Sequence, residues 1–300
     1  SVFMEFMKGS LDFMSGLDAC YKDALLTKDG KLNPEYKGKI KLLTGSYLNT
    51  EYLGFMLKPE QKNNPLLDKR VRQAINYGFD RRKMMKYLRN NVGYPGTAGF
   101  VPMGMPSYNP ERTGGYDYNP QKALRLLAEA GYPNGEGLPP ISVAVSASYA
   151  DLVQYMQHEL SQIGIELKLD VMQGAQQRQM MRNYQLPFFR GSWICDYPDA
   201  ENYMALFYSK NLQPTGSNYT YYVNPAFDKL SELSQRCADE TQRNDYYTRM
   251  DSLLVADAPF VVLYYDKVVR FTRANVTNMG TNPVNMLNLK RVRIAKKSGV

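Results

Sequence analysis

Residues 193–203, with the sequence WICDYPDAENY, hold the most informative combination of side chains in this chain. One tryptophan and three carboxylates stand in a proline-interrupted segment directly after an apolar strand, and the run 186–192 leads into this segment. In open α/β sheets, ligands bind where the chain leaves the carboxyl end of a strand, and aromatic faces pack on ligand groups. The chemistry predicted here is therefore binding, at Trp193 and Asp196, with Cys195 and Tyr197 beside them.

Asp199 has a second interpretation. A helix is predicted to begin at Glu201, and an aspartate just before a helix accepts hydrogen bonds from its first free N–H groups. We therefore assign Asp199 a capping role and leave Asp196 as the carboxylate available to a ligand.

Signals for catalysis are weak. His158, the only histidine, lies in an amphipathic helix predicted from Asp151, beside its apolar stripe. No serine or cysteine nucleophile motif accompanies it, so a structural histidine is favoured over a general base. The apolar stripe consists of Leu152, Val153, Met156, Leu160 and Ile163.

Motifs for cofactors and metals are missing from the sequence as well. Gly114-Gly115 and the glycines of 135–137 match neither dinucleotide-binding nor P-loop spacing. Cys20, Cys195 and Cys237 are too far apart for a zinc knuckle. We expect no enzyme activity, no cofactor and no bound metal.

Composition bounds the class of protein. The chain has 300 residues, of which 44% are hydrophobic and 22% charged, as in ordinary globular proteins, and two lobes are plausible at this length. The net charge of +8 has a local source in the basic segment 290–297, which is predicted to be a solvated strand edge. No nucleic-acid-binding module accompanies it, so no nucleic-acid partner is expected. The apolar run at 260–265 is far too short to cross a bilayer.

The middle of the chain alternates strands and helices. Strands are predicted at 141–145, 165–171 and 188–189, with helices at about 151–163 and 175–183 between them, which makes a β-α-β-α-β unit. Further helices are predicted after Asn119-Pro120 and Asn224-Pro225, through Tyr246 to Leu254, and over 68–87 with a break where Asp80 can cap a new turn.

Several segments together resemble a known family. Residues 64–81 (NPLLDKRVRQAINYGFDR) and 118–132 (YNPQKALRLLAEAGY) are similar to the peptide-binding proteins of ABC importers, which form solute-binding family 5. The resemblance continues through Trp193 to Asp196, through 222–230 and into 258–265, and so covers nearly the whole chain.

The resemblance implies an α/β fold of the periplasmic-binding-protein type II class, with a mixed sheet flanked by helices. Family members have two lobes that close on a ligand and are longer than this chain. By that mapping, residues 1–46 end the first lobe, 47–265 form the second lobe, and 266–300 return to the first, most of which lies outside these 300 residues.

The resemblance also implies a function. The family's aspartate that binds the peptide's α-ammonium group lies in a Trp-x-x-Asp segment, which matches Trp193 and Asp196 here. The chain is expected to be a monomeric periplasmic receptor or cell-surface lipoprotein that delivers oligopeptides or dipeptides to a membrane permease. Two alternatives remain: a receptor of the same fold for an oligosaccharide or a metal chelate, and an enzyme on a similar scaffold.

Overall fold

The computed structural model describes residues 1–17, 19–61 and 63–295, which form a mixed α/β fold. The strands are β1 (Phe13–Ser15), β2 (Ile40–Phe55), β3 (Tyr94–Pro95), β4 (Ile141–Val145), β5 (Leu167–Val171), β6 (Phe188–Ile194), β7 (Phe260–Arg273), β8 (Val276–Thr277) and β9 (Arg293–Ile294). The helices are α1 (Val2–Lys8), α2 (Lys22–Leu25), α3 (Lys69–Tyr77), α4 (Arg81–Arg89), α5 (Pro110–Thr113), α6 (Pro120–Glu129), α7 (Ala150–Ser161), α8 (Gly174–Arg182), α9 (Glu201–Met204), α10 (Pro225–Arg236) and α11 (Glu240–Asp257).

Three helices begin where the sequence predicted capping side chains. Asn119 accepts a hydrogen bond from the N–H of Lys122 at the start of α6, and Asn224 accepts one from Ala226 at the start of α10. Asp80 caps α4, so the helical stretch over 68–87 is divided as the sequence predicted.

The β-α-β-α-β unit is confirmed. β4 lies between β5 and β6 and runs parallel to both, with α7 and α8 as the crossover helices. β5 begins at Leu167, two residues later than predicted, because Gly164 and Ile165 still form the turn that ends α7.

The main sheet is mixed, as predicted. Its strand order is β1-β7-β2-β6-β4-β5, with β3 also paired to β7. β2 runs antiparallel to both β6 and β7, so the unit built from β4, β5 and β6 is joined to two long crossing strands.

The two faces of the sheet carry different apolar clusters. Successive side chains of a strand point to opposite faces. On β2, Leu53 and Phe55 belong to one buried cluster, while Tyr52 belongs to the other. Helices α3, α4, α6 and α7 cover the first face, and α9, α10 and α11 cover the second.

Pairing between β2 and β7 is interrupted twice. Glu51 pairs with Tyr264 and Tyr52 with Val262, so Leu263 is an extra residue in β7. Pairing also lapses between Ser46 and Thr50 of β2. Bulges of this kind bend a strand and change which way its side chains point.

The two terminal segments pack together on a third cluster. Phe6 and Ile40 from the first segment belong to this cluster together with Phe271 from the second, and β1 pairs with β7. The gap in β2 pairing after Ser46 coincides with the predicted boundary at 46–47. The lobe boundaries at 46–47 and 265–266 stay predictions, because β2 continues through the first and β7 through the second.

The basic segment differs from its predicted form. In its described part, 290–295, only Arg293–Ile294 is a strand, paired with β8, because a turn with a hydrogen bond from the Val292 N–H to the Leu289 carbonyl precedes it. Lys296 and Lys297 lie outside the described residues.

Hydrogen exchange should distinguish the parallel strands from the C-terminal segment by the protection of their amides. Val143, Leu167 and Phe189 are buried residues of the parallel strands β4, β5 and β6, and we expect their amides to be the most protected in the chain. Residues 286–294, where Met286, Leu287 and Leu289 are exposed, should be among the least protected. Equal protection of both regions would contradict this ranking.

Candidate functional site

Asp196 lies on the surface immediately beyond the end of β6. Its side chain is exposed, and no cation of the described residues forms an ion pair with it. Trp193 is half-buried and belongs to β6 itself, where it pairs with Thr50 of β2. The sequence placed Trp193 in the loop, but the strand continues to Ile194 because β2 pairs with it through Asn49.

The other two carboxylates of the loop are already engaged. Asp199 accepts a hydrogen bond from the Glu201 N–H at 2.9 Å and forms an ion pair with Arg243 at 3.1 Å. Asp199 therefore accepts from the first N–H of α9, as a capping side chain would, although the N-cap position itself is Ala200. Glu201 accepts a hydrogen bond from the Tyr197 hydroxyl, and this bond raises the pKa of Tyr197. Asp196 is left as the free carboxylate of the loop.

Buried contacts hold both ends of the loop. The Trp193 indole Nε1 donates to Oδ1 of Asn202 at 2.8 Å. The Cys195 N–H and the Tyr203 hydroxyl both donate to the Leu48 carbonyl, at 3.2 Å and 2.6 Å. Asp196 therefore projects from a backbone that is anchored on each side.

Cys195 and Tyr197 differ in what they present to solvent. Cys195 is buried, and burial raises the pKa of its thiol. The Tyr197 ring is exposed. Ligand contacts at Trp193, Cys195, Asp196 and Tyr197 stay predictions.

A buried polar cluster beside this loop was not predicted. Glu51 accepts from Asn49 Nδ2 at 3.0 Å and from the Ser192 hydroxyl at 2.7 Å, and it pairs with Arg190 at 2.5 Å. The Arg190 guanidinium lies 3.6 Å from the centre of the Tyr149 ring. The available signal was the spacing of Asn49 and Glu51, two residues apart on one strand, which puts them on the same face.

A groove of about 290 Å³ opens on the crossing strands. The ion pair between Arg89 and Asp266, at 3.2 Å, lies in its wall, and burial raises the pKa of Asp266 although Arg89 opposes the shift. Tyr47 also lines the groove, and it lies on β2, the strand that carries Asn49 and Glu51. Trp193 and Asp196 do not line this groove, so it is separate from the predicted contacts.

The structure also bears on catalysis, metal binding and membrane spanning. His158 is exposed on α7. Among the described residues, no group of three or more His, Cys, Asp or Glu side chains is arranged to hold a metal ion. Within those same ranges, no helix has the length and apolar character needed to span a membrane.

Comparison with known proteins identifies the family. Residues 1–214 match the bacterial extracellular solute-binding proteins, family 5 Middle. The glutathione-binding protein GsiB of Escherichia coli (strain K12) is 25% identical over 272 residues, which are 88% of this chain and 50% of GsiB. GsiB of Salmonella typhi is 25% identical over 253 residues, covering 81% of this chain and 48% of that protein.

Solved structures show the same fold. The periplasmic binding protein DppA from Helicobacter pylori, in complex with the peptide STSA, superposes with a TM-score of 0.82 at 21% identity, covering 98% of this chain and 55% of DppA. The oligopeptide-binding protein AppA from Bacillus subtilis, in complex with a nonapeptide, superposes with a TM-score of 0.80 at 22% identity. The match covers 98% of this chain and 58% of AppA.

The chain spans about half the length of the relatives that it matches. The family match covers more than two thirds of the chain, and the mixed sheet and its helices agree with the periplasmic-binding-protein fold of the solved structures. The chain belongs to the bacterial extracellular solute-binding proteins of family 5.

Proposed function

We propose that this chain is part of an extracytoplasmic receptor of an ABC importer, which binds oligopeptides or dipeptides and delivers them to a membrane permease. The observation that carries the proposal is the free, exposed carboxylate of Asp196 on an anchored loop beside Trp193. The relatives named for glutathione and the structural neighbours that hold peptides support a peptide ligand.

The chemistry of the ligand's amino end fits Asp196. An α-ammonium group that leaves water needs an anionic acceptor, and a hydrogen bond to a charged group contributes about 1.5 to 3 kcal/mol. Asp199 and Glu201 already have partners, so Asp196 is the acceptor that can bind the ammonium without losing an existing contact.

The ligand is proposed to lie between two lobes. Residues 47–265 supply the second lobe, and residues 1–46 and 266–300 belong to the first. A ligand enclosed on both sides buries most of its surface, so most of the affinity should require both lobes.

The remaining parts of the proposal concern setting and partners. The receptor acts as a monomer outside the cytoplasm, as a periplasmic protein or a lipid-anchored one, and its protein partner is the permease. It has no catalytic role and no nucleic-acid partner.

Changing Asp196 to asparagine should weaken peptide binding in the full-length protein. The substitution keeps the shape of the side chain and removes the charge that faces the ammonium group. We expect the Kd for a peptide with a free amino terminus to rise by about one to two decades. Calorimetry with trialanine and N-acetyl-trialanine measures this directly, and the acetylated peptide should bind both proteins weakly and alike.

Asp170 provides the matched control. It is an exposed aspartate on β5, away from the loop, so D170N should bind trialanine with the wild-type Kd. Wild-type affinity in D196N would show that Asp196 does not bind the ammonium group. A thermal-shift screen in which oligosaccharides, and not peptides, raise the melting temperature would favour the non-peptide alternative.

A further inference from the structure

We propose that Tyr203 is a positioning residue that sets the direction of the Asp196 carboxylate through the carbonyl of Leu48. The inference rests on the proposed function, because it concerns how the ammonium acceptor is held. Tyr203 does not reach the exposed surface, since its side chain is 0% exposed.

The first step is the shared acceptor. The Leu48 carbonyl receives the Tyr203 hydroxyl at 2.6 Å and the Cys195 N–H at 3.2 Å. Cys195 directly precedes Asp196 along the chain. A hydrogen bond that fixes the Cys195 backbone therefore also fixes the position from which the Asp196 side chain departs.

The second step is where the Leu48 carbonyl points. It accepts from Cys195, the residue after β6, and so continues the pairing of β2 with β6 one residue beyond Asn49 and Ile194. The Leu48 N–H donates to the Pro283 carbonyl at 2.8 Å, which holds the residue in place. The base of the loop thus has a fixed backbone acceptor.

The third step is the closure of the loop. Asn202 receives the Trp193 indole N–H at 2.8 Å, and Tyr203 is the next residue. A hydrogen bond therefore connects the two ends of the segment 193–203. Each end also contacts β2, through Thr50 at the start and Leu48 at the end. A site that is ordered before the ligand arrives loses less entropy on binding, which strengthens the complex.

The tyrosine hydroxyl is the part that matters. Burial raises the pKa of Tyr203, so the group is a neutral donor across the physiological range. A phenylalanine would fill the same space in the surrounding cluster and would lack only this donor. Tyr203→Phe therefore isolates the hydrogen bond from the packing.

A double-mutant cycle tests the coupling. Wild type, Y203F, D196N and Y203F/D196N are titrated in the full-length protein with trialanine and N-acetyl-trialanine. We expect Y203F to weaken trialanine binding by about fivefold to tenfold, which lies in the range of coupled neighbours. The same change should have no effect in the D196N background or on the acetylated peptide.

Tyr222 gives a matched control for stability. It is a buried tyrosine whose hydroxyl donates to Asp257 at 2.7 Å, away from the loop. Y222F should lower the melting temperature to a similar degree and leave the Kd for trialanine unchanged. Asn202→Ala removes the other anchor and should also weaken binding only when Asp196 is present.

The outcomes separate the two claims. Wild-type affinity in D196N overturns the role of Asp196, and with it this inference. A loss of affinity in D196N, combined with an additive effect of Y203F, overturns only the positioning role of Tyr203. Binding of neither peptide by the wild-type protein overturns the peptide assignment and this inference together.

Discussion

Replacing Arg81 by methionine should lower the free energy of unfolding by about 3 kcal/mol, because buried acceptors left without a partner each cost about 1 to 3 kcal/mol. The Arg81 guanidinium donates to the Val262 and Asn76 carbonyls, both at 2.7 Å, and to Oδ1 of Asn76 at 2.9 Å. Burial lowers the pKa of Arg81 to about 10, which leaves it charged at neutral pH. The side chain thus joins the end of α3 to the long strand β7.

Denaturant unfolding of R81M, followed by circular dichroism, measures the loss. Arg82 is the matched control: it is the next residue, its side chain is 68% exposed, and its ion pair with Asp117 at 3.3 Å lies on the surface. Such pairs contribute about 0 to 1 kcal/mol, so the free energy of unfolding of R82M should be close to that of the wild type. Equal losses in the two variants would contradict the structural role of Arg81.

Gly99→Ala is the second large expected effect. A Cβ at this position would lie 2.1 Å from Oδ2 of Asp251. Asp251 is buried, and its carboxylate accepts the N–H groups of Phe100 and Val101 at 2.6 Å and 3.3 Å, so it cannot move away without losing them. Overpacking of this kind costs about 1 to 3 kcal/mol, and the lost hydrogen bonds add to it.

Thermal unfolding should therefore show a clear fall in the melting temperature of G99A. Gly280 serves as the control, because a Cβ there meets no atom within 4 Å and its φ is not in the left-handed region. G280A should have the melting temperature of the wild type. A wild-type melting temperature for G99A would mean that the segment around Phe100 can shift away from α11 at little cost.

The elements of the fold could be predicted from local signals. Asn119, Asn224 and Asp80 mark helix starts because each offers a side-chain acceptor to free N–H groups close in sequence. The three parallel strands follow from alternation and turn residues, which also depend on near neighbours. The end of β6 could not be predicted, because its continuation to Ile194 depends on pairing with a strand more than 130 residues earlier in the chain.

The candidate site was predictable only in part. Trp193 and Asp196 stand out because they are close in sequence and follow a strand. Glu51 and Arg190 do not, since their pairing at 2.5 Å depends on the register between β2 and β6. The acceptor at Leu48 is a backbone group whose position depends on the register between β2 and the end of β6, and no side-chain pattern signals that register.

The extra residue in β7 has a consequence for how this chain can change in length. Phe260 and Val262 precede it and lie in the second-face cluster with Tyr265, which follows it and has the opposite parity along the chain. Deleting Leu263 would remove the bulge, restore regular alternation and leave Tyr265 on the second face. A deletion at a regularly paired position of β7 would instead turn the side chains on one side of it to the opposite face. The bulge is therefore the place where β7 can lose a residue and keep both buried clusters.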